Sequence, residues 1–252
     1  MVRLGQNFLA DTNLLGAIVR EAAIEPGDVV LEVGGGEGAL TRELAPEAAS
    51  LHVIELDGRL VPSLEAVAAE HGNVRLHLGD AMRLPLAALE PAPTRMVANL
   101  PYSIATPLIL RTIAELPTLG SWTLMVQREI ADRLRAAPGS RTYGSPSVLV
   151  QLACEVRLLR AVDPAVFRPR PRVRSALIGL RRVAAGASPE VAALVRAAFA
   201  HRRKSLARSL EHGRPGIRDS ARSALEQLGL PADARAEQLA PRQFVELAQR
   251  LG

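Results

Sequence analysis

Asn99-Leu100-Pro101-Tyr102 combines side chains that could hold and orient an exocyclic amine. The Asn99 side chain offers an acceptor and two donors, and Tyr102 offers a flat face on which a base taken out of its stack could rest. The four residues follow an apolar run at residues 95–98 that predicts a strand, and the carboxyl ends of strands in open α/β sheets are where ligands bind. Thr106 then fits as the N-cap of a helix. Taken alone, the tetrapeptide is more typical of a strand-ending turn with a buried tyrosine, so the rest of the chain must supply the support.

A glycine-rich segment at residues 34–38 lies between a predicted strand, residues 29–33, and a run at helical spacing. Strand, glycine loop and helix form a nucleotide-binding arrangement, because glycines let the backbone approach a ligand and a helix N-terminus presents free N–H groups. This pattern alone also fits dinucleotide sites. Glu32 and Glu37, however, place negative charge where a pyrophosphate would lie, which favours a cationic ligand. The sulfonium and ammonium groups of S-adenosylmethionine meet that requirement.

Two further predicted strands end in acidic residues. The strand at residues 51–57 carries Glu55 and Asp57 about twenty residues after the glycine loop, the spacing at which a carboxylate reaches ribose hydroxyls. We assign that role to Glu55 because it comes directly off the strand, whereas Asp57 fits as an N-cap. The next strand ends in Asp80, which could accept a hydrogen bond from an adenine amino group while Ala81 leaves room for the ring. The successive units therefore place polar groups at one edge of the sheet.

Other elements complete the predicted scaffold around this edge. Asp11 fits as the cap of an amphipathic N-terminal helix, and residues 121–127 and 128–134 predict a fifth strand followed by a helix. Residues 136–147 are rich in Gly, Pro, Ser and Arg and predict a mobile loop near the substrate edge. Residues 147–159 are largely apolar and fit a helix or a strand.

The whole chain has a net charge of +5, and its basic residues are concentrated in the second half. Residues 164–189 contain six arginines and no acid, and a second basic run covers residues 201–204. Phe167 and the alternating arginines after it suit base stacking plus phosphate contact, although a solvated loop explains them about as well. We expect a polyanionic partner.

Composition limits the class of protein. No apolar run approaches the roughly 20 residues that span a bilayer, and the N-terminus lacks the apolar core of a signal peptide, so we predict a cytoplasmic protein with no membrane contact. The single Cys154 excludes an internal disulfide, and the five histidines show no metal-ligand spacing, so no metal is expected. A linker at residues 184–189 predicts a boundary near residue 185, which divides the chain into domains 1–184 and 185–252.

The chain resembles the KsgA-type ribosomal RNA adenine dimethyltransferases, relatives of the Erm antibiotic-resistance methyltransferases. The resemblance rests on motifs that occur in the family's order from Gly5 to the C-terminus. They are Gly5-Gln6-Asn7-Phe8-Leu9, residues 31–41, Glu55-Leu56-Asp57, Gly79-Asp80-Ala81, Asn99-Leu100-Pro101-Tyr102-Ser103-Ile104, Phe167-x-Pro169-x-Pro171-x-Val173-x-Ser175 and Phe199-x-x-Arg202-Arg203-Lys204-Ser205-Leu206.

The resemblance implies an α/β, Rossmann-like S-adenosylmethionine-dependent methyltransferase fold with a small all-helical C-terminal domain that contacts RNA or the ribosome. It implies cofactor contacts from Asn7, Leu9, Gly34, Gly36, Glu55, Leu56, Asp80, Ala81 and Asn99. It implies a catalytic group of Asn99, Leu100, Pro101, Tyr102 and Phe167. The expected RNA contacts are Arg168, Arg170, Arg172, Arg174, Arg202, Arg203 and Lys204.

The family's reaction adds two methyl groups to N6 of each of two adjacent adenines, in a hairpin near the 3′ end of small-subunit rRNA. The implied partner is that rRNA within a pre-30S particle, and we expect the protein to act as a monomer. We hypothesise that Asn99 and the Leu100 carbonyl accept the amino hydrogens while Tyr102 and Phe167 hold the flipped ring. Gly35 departs from the family, which usually has proline there, and the chain lacks the basic N-terminal tail of many members.

Three alternatives remain open from the sequence. An Erm-type enzyme would modify large-subunit rRNA instead, and Leu100 and the basic run at residues 202–204 argue against it. A ribosome-assembly or transcription factor could keep the fold and lose catalysis, which the intact Asn99, Tyr102 and acidic positions disfavour. A DNA adenine or small-molecule methyltransferase would not need the arginine-rich segments.

Overall fold

The computed structural model describes residues 8–9, 11–201 and 203–252, so the predictions for Asn7 and Arg202 lie outside the described residues. The chain divides into two compact units. A sheet unit comprises the chain through Ala131 together with Val156–Arg182, and a helical unit comprises Asp132–Glu155 and Val183–Gly252. The single boundary predicted near residue 185 lies close to the last crossing between the units. The sequence does not anticipate that residues 132–155 join the second unit.

The strands of the chain form one large sheet and one short ladder. They are β1 (Phe8–Leu9), β2 (Val29–Val33), β3 (Ser50–Glu55), β4 (Val74–Leu78), β5 (Arg95–Asn99), β6 (Ser121–Gln127), β7 (Cys154–Val162), β8 (Phe167–Arg168) and β9 (Ser175–Arg182). The seven-stranded sheet has the order β4-β3-β2-β5-β6-β9-β7. Neighbours from β4 to β6 are parallel, and β9 is antiparallel to β6. β1 and β8 form a separate antiparallel ladder, with Phe8 opposite Arg168.

Helices follow most of the strands and make up most of the helical unit. They are α1 (Thr12–Ala22), α2 (Ala39–Leu44), α3 (Val61–Glu70), α4 (Ala105–Glu115), α5 (Arg128–Leu134), α6 (Ser145–Gln151), α7 (Pro189–Phe199), α8 (Leu206–Gly213), α9 (Arg218–Gln227) and α10 (Pro241–Leu251). In the part of the chain that the structure describes, no helix has the length and apolar character needed to cross a bilayer.

Local sequence explains where several helices begin. The Asp11 carboxylate accepts a hydrogen bond from the Leu14 N–H at 2.9 Å, so α1 has the predicted N-cap. The predicted cap at Thr106 is wrong, because α4 already begins at Ala105 and Ile104, two residues before Thr106, occupies the cap position without a side-chain bond. The ambiguous stretch at residues 147–159 divides into the end of α6 and the start of β7.

Residues 136–147 are held by contacts within the helical unit, so the mobile loop predicted there is not what the structure shows. Tyr143 is fully buried, and its hydroxyl donates to the Leu239 carbonyl at 2.9 Å. The Gly139 N–H donates to the Glu237 carbonyl at 2.7 Å. These partners lie about a hundred residues later in sequence, which is why composition alone suggests a free loop.

Sheet topology fixes the place of the candidate site. β2 pairs with β3 on one side and with β5 on the other, so the strand order reverses between β2 and β5. The carboxyl ends of parallel strands at such a switch point flank a crevice in which ligands bind. Every residue of β2 and β3 is buried, as expected for parallel strands covered on both faces. Side chains at the ends of these strands are therefore held on a rigid base.

Candidate active site

A cavity of about 440 Å³ opens at the carboxyl edge of the parallel strands. Its walls come from the ends of β2 to β5, from the turns that follow them and from β1. The lining residues are Phe8, Val33, Gly34, Gly36, Ile54, Glu55, Leu56, Gly79, Asp80, Ala81, Met82, Asn99, Leu100, Pro101, Tyr102, Ser103 and Ile104. Its volume is within the range of roughly 300–1,000 Å³ typical of small-molecule sites. Glu55, Asp80 and Asn99, predicted from three separate segments, thus meet in one place.

The glycine loop lets the backbone form one wall of this cavity. Gly34 and Gly36 have φ of 82° and 58°, a region that side chains rarely adopt. A Cβ at Gly36 would lie 3.1 Å from the Phe8 ring. Gly35 is restricted differently, because a Cβ there would lie 2.5 Å from a methyl group of Val53. The glycine at this departure from the family pattern is therefore required by close packing against β3.

Glu55 is held by the backbone of two turns. Its side chain is 6% exposed, and one carboxylate oxygen accepts the Gly36 N–H at 2.9 Å. The other oxygen accepts the N–H groups of Leu56 and Asp57 at 2.9 and 2.8 Å. Asp57 instead caps a 3-10 turn by accepting from the Arg59 N–H at 3.1 Å. The two acids divide as the sequence predicts, with Glu55 on the cavity and Asp57 at the start of the next helix.

Glu32 does not carry the negative charge that the sequence predicts for it. The side chain is 1% exposed, and its carboxyl accepts the Thr41 hydroxyl at 2.7 Å. Burial raises the pKa of Glu32 to about 8, with a further increase from the nearby Glu55 charge and a partial offset from the Thr41 bond. Glu32 is therefore mostly protonated at neutral pH and supplies little charge. Glu37 is exposed, so it remains the acid of the loop that faces solvent.

The turn that carries Asp80 and Ala81 is fixed by an arginine that the sequence analysis did not identify. One Asp80 oxygen accepts the Met82 N–H at 2.8 Å, which shapes the turn. From α4, the Arg111 guanidinium donates to the carbonyls of Ala81 and Leu84 at 2.6 and 2.7 Å. The only sequence signal for Arg111 is its spacing from Glu115, which predicts an ordinary helix ion pair.

Asn99 is the last residue of β5, and the turn after it leads along the cavity. The Leu100 N–H donates to the Met125 carbonyl at 3.1 Å, which continues the pairing with β6 for one residue. Tyr102 is half-buried, and its hydroxyl lies 2.7 Å from the Ser175 hydroxyl. Burial raises the pKa of Tyr102 above its usual value, while the Ser175 bond opposes part of that change. The tyrosine is therefore neutral at physiological pH.

The structure does not bring every predicted residue to the cavity. Phe167 is 2% exposed and packs in the hydrophobic core with Leu9 and the α1 side chains, away from the lining. Leu9 borders a smaller cavity of about 40 Å³, which Glu32 and Asn99 also line. Phe8 contributes to both cavities. Phe8 belongs to the motif at residues 5–9, and the sequence alone indicates no role for it.

The predicted RNA-contact residues are exposed wherever the structure describes them. Arg168, Arg170, Arg172 and Arg174 are exposed residues of the sheet unit, and Arg170 lies 3.7 Å from Asp163. Arg203 and Lys204 are exposed in the helical unit, where the Lys204 ammonium donates to His212 at 2.8 Å. Among residues 8–9, 11–201 and 203–252, no cluster of three or more His, Cys, Asp or Glu side chains could hold a metal ion.

Comparisons with known proteins agree with this geometry. The family model described as ribosomal RNA adenine dimethylase matches residues 2–252. A ribosomal RNA small subunit methyltransferase A from Rubrobacter xylanophilus is 46% identical over 99% of this chain and 94% of its own length. The protein of that name from Kineococcus radiotolerans is 42% identical over 97% of this chain and 84% of its own.

Two solved structures share the fold over nearly the whole chain. A dimethyladenosine transferase from Plasmodium falciparum has a TM-score of 0.82 at 27% identity and covers 95% of each chain. The 23S rRNA methyltransferase ErmE has a TM-score of 0.69 at 30% identity and covers 97% of this chain and 99% of its own. The architecture is thus the predicted α/β, Rossmann-like methyltransferase fold. The chain belongs to the ribosomal RNA adenine dimethylase family.

Proposed function

We propose that this protein uses S-adenosylmethionine to add two methyl groups to N6 of each of two adjacent adenines in a hairpin near the 3′ end of small-subunit rRNA. The observation that carries the proposal is the meeting of Glu55, Asp80 and Asn99 in one cavity with the Tyr102 ring at its side. The names of the relatives support the small subunit as the source of the RNA. ErmE acts on 23S rRNA and is 30% identical to this chain, which is less than the 46% and 42% of the two small-subunit methyltransferases. Large-subunit rRNA is therefore the less favoured substrate.

The residues of the cavity fit S-adenosylmethionine. The Glu55 carboxylate and Asp80 both line the cavity, which supports ribose hydroxyls as partners of Glu55 and an adenine amino group as the partner of Asp80. Leu56 is 53% exposed although it is a large apolar side chain, so a bound ring would cover it. When bound, the cofactor supplies a methyl group on a positively charged sulfur.

Transfer to an adenine amine requires orientation more than a strong base, because the attacking group is a neutral amine. In the first transfer, the Asn99 side-chain oxygen and the Leu100 carbonyl would accept the two amino hydrogens and turn the nitrogen lone pair out of conjugation with the ring, and one of these hydrogens would leave to solvent as a proton once the nitrogen has gained the methyl group. In the second transfer, the one remaining hydrogen would be held by the same pair of oxygens and then lost in the same way. Tyr102 would support the base by stacking. We leave Phe167 out of this set because its side chain lies in the core.

We assign RNA contact to the exposed arginines of residues 168–174 and to Arg203 and Lys204. Guanidinium and ammonium groups bind phosphates and set the register of the RNA without reading its sequence. We further propose that the helical unit contributes to ribosome contact, that the substrate is a pre-30S particle and that the enzyme is a cytoplasmic monomer. Two separate basic segments suit a folded RNA target more than a single nucleotide.

The proposal is tested by mass spectrometry of rRNA nucleosides after the purified protein is incubated with S-adenosylmethionine and undermethylated small subunits. We expect N6,N6-dimethyladenosine in small-subunit rRNA and none when large subunits are supplied. Asn99→Ala is expected to abolish the product while the dissociation constant for S-adenosylmethionine changes by less than about threefold, because Glu55 and Asp80 remain. Asn13→Ala, an exposed asparagine on α1, is the matched control. Full activity of Asn99→Ala would refute the assignment, and product only in large subunits would establish the Erm-type alternative.

A further inference from the structure

Tyr102 is tied to the sheet by a hydroxyl that the proposed mechanism does not use. The Tyr102 hydroxyl and the Ser175 hydroxyl lie 2.7 Å apart. Ser175 is the first residue of β9, is paired with Gln127 of β6 and is 1% exposed. Ser175 does not line the cavity, whereas Tyr102 does. The bond therefore runs from a side chain at the cavity to a point inside the sheet.

This contact restricts the Tyr102 ring at both ends. The backbone of Tyr102 follows Pro101, and two side-chain torsions then set where the ring lies. Anchoring the hydroxyl to a buried strand residue fixes the first torsion and with it the position of the ring, because the oxygen is at the far end of the ring on the axis about which the second torsion turns it. Without Ser175, a half-buried phenol would lose its partner and the ring could move to find another. A stacking surface that moves loses part of its contribution, since transfer depends on the placement of the base.

We infer that Ser175 is a positioning residue that holds the Tyr102 ring at the place needed to stack on the target adenine, without touching the RNA or the cofactor itself. This role rests on the proposed function. Next to Ser175, the Arg174 carbonyl accepts the Arg128 N–H at 2.9 Å, so the end of the arginine segment is bonded to the start of α5. The arginine segment at residues 168–174 therefore ends directly before Ser175, the residue that positions the base-stacking ring of Tyr102.

The positioning contact can be observed without any reaction. The chain has only two tyrosines, so protein labelled with ¹³C on the tyrosine ring gives two sets of ring signals by NMR. In Ser175→Ala, we expect the Tyr102 signals to shift or broaden while those of Tyr143, whose hydroxyl bonds to Leu239, stay in place. Unchanged Tyr102 signals would overturn the inference. This experiment gives its answer whether or not the protein methylates RNA.

A double-mutant cycle measures the consequence for transfer. Ser175→Ala and Tyr102→Phe each remove one side of the hydrogen bond, and each is expected to lower kcat on small subunits by about threefold to tenfold, with the KM for S-adenosylmethionine unchanged. The double variant is expected to match the single variants. Ser209→Ala is the matched control, because this serine is 2% exposed and donates at 2.7 Å to the Ala197 carbonyl within the helical unit. It is expected to retain full kcat.

The outcomes separate the two proposals. If the wild type produces no dimethyladenosine, the proposed function fails. If the wild type is active and the losses from the two single changes multiply in the double variant, or Ser175→Ala behaves like Ser209→Ala, then Ser175 does not act through Tyr102. Loss of all transfer in Tyr102→Phe with full activity in Ser175→Ala would also overturn the positioning role.

Discussion

Replacing Glu32 with glutamine should change how the stability of the sheet unit depends on pH. The pKa of Glu32 is about 8 in the folded protein, against an ordinary value of 4.5. A raised pKa means that the folded state binds the proton more tightly than the unfolded chain does. The stabilising effect is therefore complete below about pH 4.5 and is lost as pH rises toward 8. At pH 7, the loss amounts to about 3 kcal/mol, because each pKa unit corresponds to about 1.4 kcal/mol.

Glutamine has nearly the same shape as a protonated glutamate and does not titrate, so Glu32→Gln should escape this loss. We expect the free energy of unfolding of Glu32→Gln, minus that of the wild type, to increase by about 3 kcal/mol between pH 5 and pH 8. Urea unfolding without ligand gives this difference. Fluorescence of Trp122 reports on the sheet unit, because it is the chain's only tryptophan and is fully buried in β6.

Subtracting the free energy of unfolding of the wild type from that of Glu32→Gln removes the contribution of other titrating groups to the pH dependence. Burial lowers the pKa values of His52 and His77, so their effect has the opposite sign, and stability is lost as pH falls below about 6.5. Both histidines are present in the wild type and in the variant. Glu37→Gln, which replaces an exposed acid of the same loop, is the matched control. A difference for Glu32→Gln that stays constant or decreases from pH 5 to pH 8 would refute the reasoning.

Three other changes test separate features of the structure. Arg111→Lys should weaken S-adenosylmethionine binding by about threefold to tenfold in calorimetry, because lysine cannot hold two carbonyls of the turn in the same way. Arg182→Lys, which loosens contacts to carbonyls at the C-terminal end of α4 and just beyond it, should leave the binding unchanged. Arg172→Ala should weaken RNA binding and reduce the slope of log K against log salt by about 1, and Arg42→Ala should not alter the slope. Tyr143→Phe should lower the melting temperature of the helical unit through loss of about 1 kcal/mol, as followed by calorimetry, and an unchanged transition would contradict the loop's anchoring.

The sequence predicts the sheet well because strand ends carry local signals. The predicted strands at residues 29–33 and 121–127 match β2 and β6, and Asn99 ends β5 as expected. Short apolar runs bounded by glycine, proline or acidic residues are enough to define buried parallel strands. Their common direction then explains why residues far apart in sequence meet at one edge.

What the sequence does not predict depends on partners far along the chain. The protonation of Glu32 follows from its burial, which its position in an apolar strand suggests but does not measure. The sequence places Tyr143 in a polar loop, because the Leu239 carbonyl that accepts its hydrogen bond lies in a distant segment of the chain. Arg111 bonds to two carbonyls, and Ser175 to a hydroxyl, that become their neighbours only in the folded chain. Phe167 belongs to a motif with alternating arginines, and yet its side chain faces the core.

The ladder between β1 and β8 has a consequence for synthesis of the protein. Phe8 lines both cavities, and its pairing partner is Arg168. On a translating ribosome, residue 8 emerges long before residue 168, so the cavity wall formed by Phe8 is completed only after nearly all of the large sheet has been made. Nascent chains that stop before residue 168 would therefore lack this ladder. Competence to retain a cofactor should arise late in translation, close to the emergence of the arginine segment.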